Sequence, residues 1–211
     1  MSYPVVVPIG LTAFDLLSVL GDSSEMVSID WFNPVTSLFE RAIYESDNPA
    51  GSNFFIKRGE GYLVHSKVQK VVTFTGVADC PTINVFVGFN LIGVPCPPSG
   101  FGAYDLLKSL GNEFEVLSVQ RYEKSSDTFE IVTFNGQEPM GVDFNVVNGE
   151  AYIAEMAVAK STVKVPGQGQ IFPPSITGIS PGRAVPGSTV LIIGEGFDVD
   201  TVDNLVVFNG V

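Results

Sequence analysis

Residues 8–70 and 98–160 align at a constant offset of ninety without a gap, and this register constrains the fold more than any other feature of the chain. Ala13, Asp15, Leu16, Leu17, Leu20 and Gly21 recur as Ala103, Asp105, Leu106, Leu107, Leu110 and Gly111. Gly59-Glu60-Gly61-Tyr62 recurs as Gly149-Glu150-Ala151-Tyr152, and Phe39-Glu40, Pro49, Gly51 and Phe54 also have identical partners. Identity covers about a third of the aligned positions, enough at this register to argue duplication. Solenoid units run about 20–50 residues, so a period this long describes two copies of a domain-sized unit. A residue kept in both copies belongs to the scaffold; a residue that changes is free to vary.

Each copy predicts one helix. Thr12 is placed as an N-cap with Asp15 three residues on, Ala13, Phe14, Leu16, Leu17 and Leu20 form an apolar stripe, and Gly21 ends it. The second helix is expected over 102–111 by the same pattern. Strands are expected over 25–32 and 38–44, joined through 33–37, and over 115–122 and 128–134, joined through 123–127. Pro49-Ala50-Gly51 reads as a turn, followed by an extended run from Phe54 to Ile56 and a strand from Tyr62 toward Val72. Leu17/Leu107, Leu20/Leu110, Phe54/Phe144 and Tyr62/Tyr152 are the expected core equivalents. The second copy opens with Asn84-Val85-Phe86-Val87-Gly88-Phe89-Asn90, and the first begins in register past that run. The first copy is therefore expected to lack its opening strand, and the chain to be a fragment.

Net charge is −12 with eleven Lys and Arg, a balance that argues against a phosphate-backbone footprint and hence against nucleic acid. No run of apolar residues is long enough to span a bilayer, and no signal peptide is legible. Cys80 and Cys96 have no counterparts in the first copy. They either close a loop worth about 3 kcal/mol in an oxidising compartment or remain two independent buried thiols.

After Lys164 the register ends, and 167–174 reads as a Pro- and Gly-rich linker. The pieces that follow are Ile176-Thr177-Gly178-Ile179-Ser180-Pro181, Pro186-Gly187-Ser188-Thr189-Val190-Leu191-Ile192-Ile193-Gly194-Glu195-Gly196-Phe197 and Val206-Val207-Phe208-Asn209-Gly210-Val211. In that order they resemble the opening of an IPT/TIG domain. The resemblance implies an immunoglobulin-like sandwich, used in bacterial surface proteins as a spacer or adhesive module. It covers the last 37 residues, so the sandwich is expected to be truncated. The copies themselves resemble a bacterial extracellular module carrying Gly88-Phe89-Asn90-Leu91-Ile92-Gly93-Val94-Pro95 and Gly59-Glu60-Gly61-Tyr62, although that module commonly has Trp at the place of Phe89. This second likeness implies a secreted or surface setting and no activity.

Chemistry is sparse. His65, the single histidine, is matched by Glu155, so a triad built on it would exist in one copy alone. Asp15/Asp105, Glu25/Glu115, Glu40/Glu130 and Glu60/Glu150 persist in both copies, and a carboxylate pair for glycoside hydrolysis is formally available among them. Helix N-termini and a glycine-flanked turn already account for two of the four pairs. Trp31 and Phe32, near a hairpin tip, could stack on a sugar ring, with Tyr122 as the twin of Phe32. Asp198, Asp200 and Asp203 crowd one loop with oxygen ligands suited to Ca²⁺, but without the spacing of an EF-hand.

The expected fold is α+β and mainly β: repeat 1 over 1–79, repeat 2 over 80–166, the linker, and a partial IPT/TIG-like domain over 175–211. The expected role is a non-catalytic structural or adhesion module of a bacterial cell-surface or secreted protein, without a cofactor unless Ca²⁺ binds. Expected partners are other domains of the parent protein. A carbohydrate- or peptide-binding module and a strand-exchanged head-to-tail assembly are the alternatives.

Overall fold

The computed structural model describes residues 1–4, 7–76, 81–94 and 96–164, together with the backbone of two strands further on. The chain divides into two units, Met1–Gly169 and Gln170–Val211. The fold is α+β and mainly β, built from antiparallel sheets and two helices. Among the described residues no helix is long and apolar enough to cross a membrane.

In chain order the first half contains α1 (Ala13–Leu20), β1 (Met26–Asn33), β2 (Leu38–Glu45), β3 (Asn48–Gly51) and β4 (Leu63–Ser66). The second contains β5 (Ile83–Val85), β6 (Gly88–Gly93), α2 (Ala103–Leu110), β7 (Val116–Glu123), β8 (Thr128–Asn135), β9 (Glu138–Gly141), β10 (Ala151–Met156) and β11 (Lys160–Val163). One sheet runs β3-β2-β1-β4, the other β9-β8-β7-β10-β6, and β5 pairs with β11. Of the second unit the backbone of β12 (Ser175–Ser180) and β13 (Leu191–Glu195) is described, and the two pair antiparallel.

Both helices start on their caps. The Asp15 N–H donates to Thr12 Oγ1 at 3.3 Å while the Thr12 N–H donates to Asp15 Oδ2 at 2.9 Å, a reciprocal capping box. Gly102 keeps one half of it, its N–H donating to Asp105 Oδ2 at 3.1 Å. Gly21 and Gly111 end the helices for a steric reason: an added Cβ would lie 2.5 Å from Glu25 Oε2 in one case and 2.6 Å from Glu115 Oε2 in the other. Those carboxylates hold Lys70 at 2.7 Å and Lys160 at 2.8 Å, tying each helix end to the segment that follows the last strand of its sheet.

Each half has its own core. Ala13, Leu16, Leu17 and Leu20 pack on Ile29, Ala42, Phe54 and Tyr62; Ala103, Leu106, Leu107 and Leu110 pack on Val119, Val132, Phe144 and Tyr152. Fully burying each leucine is worth about 1.5–3 kcal/mol, so the helix faces are the main tie between helix and sheet. All four expected pairs of core equivalents are buried.

Two local expectations fail. Asn48–Gly51, read as a turn through Pro49, is a strand that pairs Tyr44 with Pro49; an edge position tolerates a residue without an N–H. The reversal lies one step earlier at Ser46 and Asp47, which take positive φ of 49° and 68° without glycine. The strand expected to run from Tyr62 toward Val72 stops at Ser66, where the chain turns and the Lys67 N–H donates to Glu25 O at 2.7 Å.

The halves join by reciprocal contacts. β6 pairs with β10 on one edge, and on the other the Gly61 N–H donates to Leu91 O and the Gly93 N–H to Gly59 O, both at 2.9 Å. In the opposite sense the Ser2 N–H donates to Gly149 O at 2.9 Å, and Gly149 is the ninety-residue equivalent of Gly59. Each glycine turn therefore meets the opening segment of the other half, as across a local two-fold axis.

Candidate functional site

Two aromatic stacks organise the region around Trp31. Phe54 lies parallel to Tyr62 with ring centroids 6.0 Å apart, and Phe144 parallel to Tyr152 at 5.9 Å. The outer face of each stack is filled differently. Trp31 packs on Phe54 at 5.8 Å, whereas its twin Arg121 places its guanidinium carbon 4.8 Å from the Phe144 ring centre. A flat cation substitutes for an indole over the same phenyl ring. Lys57 Nζ then sits 4.4 Å from the Trp31 ring centre, covering part of the surface that a sugar would use.

Glu60 lies beside this stack. It accepts from Lys57 Nζ at 3.3 Å and from the Tyr62 hydroxyl at 3.4 Å, while the Lys57 N–H donates to that same hydroxyl at 2.8 Å. Burial raises the Glu60 carboxyl above the ordinary glutamate range, and Lys57, Tyr62 and Trp31 pull it back. The Tyr62 phenol is pushed up strongly, first by burial and then by the Glu60 charge. In the second half the Tyr152 hydroxyl donates to Glu150 at 3.1 Å and accepts from the Val147 N–H at 2.7 Å, so the turn–tyrosine contact is a scaffold feature of both halves.

A cavity of about 270 Å³ opens here, lined by Trp31, Phe32, Lys57 and Glu60 on one side and by Asn84 and Asn90 on the other. Glu60 is the one carboxylate among its described lining residues. Two-carboxylate glycoside hydrolysis needs a second across the scissile bond, so this cavity does not supply that constellation.

The structure brings Trp31 and Phe32 to one cavity and places Tyr122 elsewhere. Tyr122 packs on Phe129 with centroids 5.4 Å apart and its hydroxyl donates to Asp127. His65 is exposed on β4, opposite Ser28. Asp198, Asp200 and Asp203 lie outside the described residues, as does Cys80; Cys96 is disulfide-bonded. Among the described residues no three His, Cys, Asp or Glu side chains gather as a metal site.

One buried pair escaped the residue-by-residue reading. Asp30, 1% exposed, receives Arg41 Nε at 2.5 Å and Arg41 Nη2 at 3.1 Å across β1 and β2. The offset-ninety equivalents are Gln120 and Ile131, also cross-strand partners, while the second half builds its ion pair one step on, between Arg121 and Glu130 at 2.5 Å. The signal was present as a coupled change at two positions, legible once their pairing is known. Comparison with protein-family models, with curated proteins and with solved structures finds no match.

Proposed function

We propose that this chain is a non-catalytic structural and adhesion module of a larger bacterial cell-surface or secreted protein, made of two tandem repeats and the opening strands of an IPT/TIG-type sandwich after residue 175. One observation carries the reading: every acidic position kept in both copies is engaged by the scaffold itself. Asp15 and Asp105 cap their helices, and Glu25 and Glu115 hold Lys70 and Lys160. Glu40 accepts from Asn33 and Glu130 pairs with Arg121; Glu60 and Glu150 accept from Tyr62 and Tyr152. Repeated carboxylates that serve folding leave little over for catalysis. The disulfide at Cys96 fits an oxidising, extracellular setting.

Display of the full chain on bacterial cells tests the reading. Increased retention on protein- or glycan-coated surfaces, with no turnover of glycoside, ester or peptide substrates, supports it. Turnover abolished by Glu60→Gln overturns it. A sugar-stacking role for Trp31 has weaker support, because Lys57 lies over its ring; glycan-array binding lost in Trp31→Ala is the result that would favour it.

A further inference from the structure

The two halves accept their neighbouring segments unequally. In the second half, Ile83 and Val85 of β5 are buried and pair with Val163 and Lys160 of β11, and β6 pairs along the full length of β10. Asn84 Oδ1 accepts from the Thr162 N–H at 2.9 Å, and Asn90 Nδ2 donates to Phe86 O at 2.8 Å. In the first half the equivalent places are the outer edge of β4 and residues 70–73. The sheet ends at β4, met at its base by Met1 and Ser2, and Val71 is 93% exposed.

A groove of about 650 Å³ runs there, lined by Leu20, Met26, Val64 and Val72, with Asn148 and Gly149 from the second half on its rim. The local two-fold supplies an independent sign that this place is open. A Cβ on Gly59 would lie 2.5 Å from Ile83 Cγ2, whereas a Cβ on the equivalent Gly149 would meet no atom within 4 Å. The receiving side is already set. Lys70 holds Glu25 as Lys160 holds Glu115, and the Lys67 N–H reaches Glu25 O as the Ala157 N–H reaches Glu115 O.

We propose that this groove is a strand-acceptor site for an extended segment of another polypeptide, of the chemistry of residues 83–90: two inward apolar side chains spaced as Ile83 and Val85, an outward polar residue between them, and an asparagine at the place of Asn90. The second half displays the occupant that its own copy of this site takes. Addition of a strand pairs the free backbone of β4 and of residues 70–73, and the inward side chains fill the apolar floor. The proposal is independent of the adhesion reading, because it concerns a different surface and would hold for a purely structural chain.

The test uses the full chain and a synthetic peptide of residues 82–91. Calorimetry should give one-to-one binding, and hydrogen exchange should slow at Leu63–Ser66 and at residues 70–73. A peptide carrying Ile83→Asp and Val85→Asp should bind about tenfold or more weakly, since it would bury unpaired carboxylates. An Asn84→Asp peptide should bind as the parent does. Four results overturn the proposal: no binding up to about 1 mM peptide; equal binding by the double-Asp peptide; protection confined to residues 151–163; and protection of β4 that grows with protein concentration in the absence of peptide, which would make a second copy the occupant.

Discussion

Gly61 and Ala151 meet face to face: a Cβ on Gly61 would lie 2.7 Å from the Cβ of Ala151, with the Leu91 carbonyl carbon at 3.1 Å. The two are equivalents under the ninety-residue offset, so the Gly-Glu-Gly-Tyr and Gly-Glu-Ala-Tyr turns differ where they touch. One side carries a methyl group because the other carries none.

Gly61→Ala should destabilise the first unit by about 1–3 kcal/mol through overpacking. Adding Ala151→Gly should return a large part of that loss, leaving the closer approach to Leu91 and Ile92. Urea unfolding of the two single variants and the double variant measures the coupling. Strict additivity would show that the methyl–methyl contact is not what excludes alanine at 61.

The Asp30–Arg41 pair has a ready-made replacement in Gln120–Ile131. Arg41→Ile leaves a carboxylate 1% exposed with Ser28 Oγ at 3.4 Å as its remaining side-chain partner, and should cost about 1–3 kcal/mol. Asp30→Gln with Arg41→Ile should be closer to wild type than Arg41→Ile alone, since removing both charges leaves no orphaned group. Thermal unfolding of both variants decides it.

Two glutamates should respond to acid in opposite directions. Lys160, followed by the Asn112 N–H, holds Glu115 below the ordinary range. Its contribution is present above the unfolded value of about 4.3 and is lost as pH falls through the lower folded value. Burial holds Glu60 above the ordinary range, so its charged form opposes folding at neutral pH and the penalty is relieved as pH falls from the folded value toward about 4.3. In urea midpoints, the deficit of Glu115→Gln against wild type should therefore shrink in acid. The difference between Glu60→Gln and wild type should move against the variant as pH falls from neutrality. Parallel profiles for both variants would refute the assignment.

Leu107, fully buried at the centre of the α2 face, should cost about 2–5 kcal/mol when changed to alanine, mainly through the cavity left behind. A melting temperature within error of wild type would mean that α2 does not carry the core of its half.

The helices, the long hairpins and the core equivalents were legible in the sequence because duplication presents each of them twice. Leu16 and Leu106 announce a buried face; Thr12 and Asp15 announce a helix start. The Pro49 strand was not legible, because its turn is made by Ser46 and Asp47 at positive φ rather than by a glycine or asparagine pair. Nor was the role of Trp31. An exposed indole and an indole under a lysine have the same letter, and the distinction rests on Lys57, twenty-six residues away in sequence and 4.4 Å away in space. The Asp30–Arg41 exchange was hidden for a related reason: compensation between strands is invisible until register is known.

Because each glycine turn meets the opening segment of the opposite half, the contact saturates at two partners. A third copy could not join by the same surfaces, so a longer array of such units would be counted in couples rather than ones. Loss of a single copy would strip its survivor of two contacts at once, and selection on either copy is thereby selection on both.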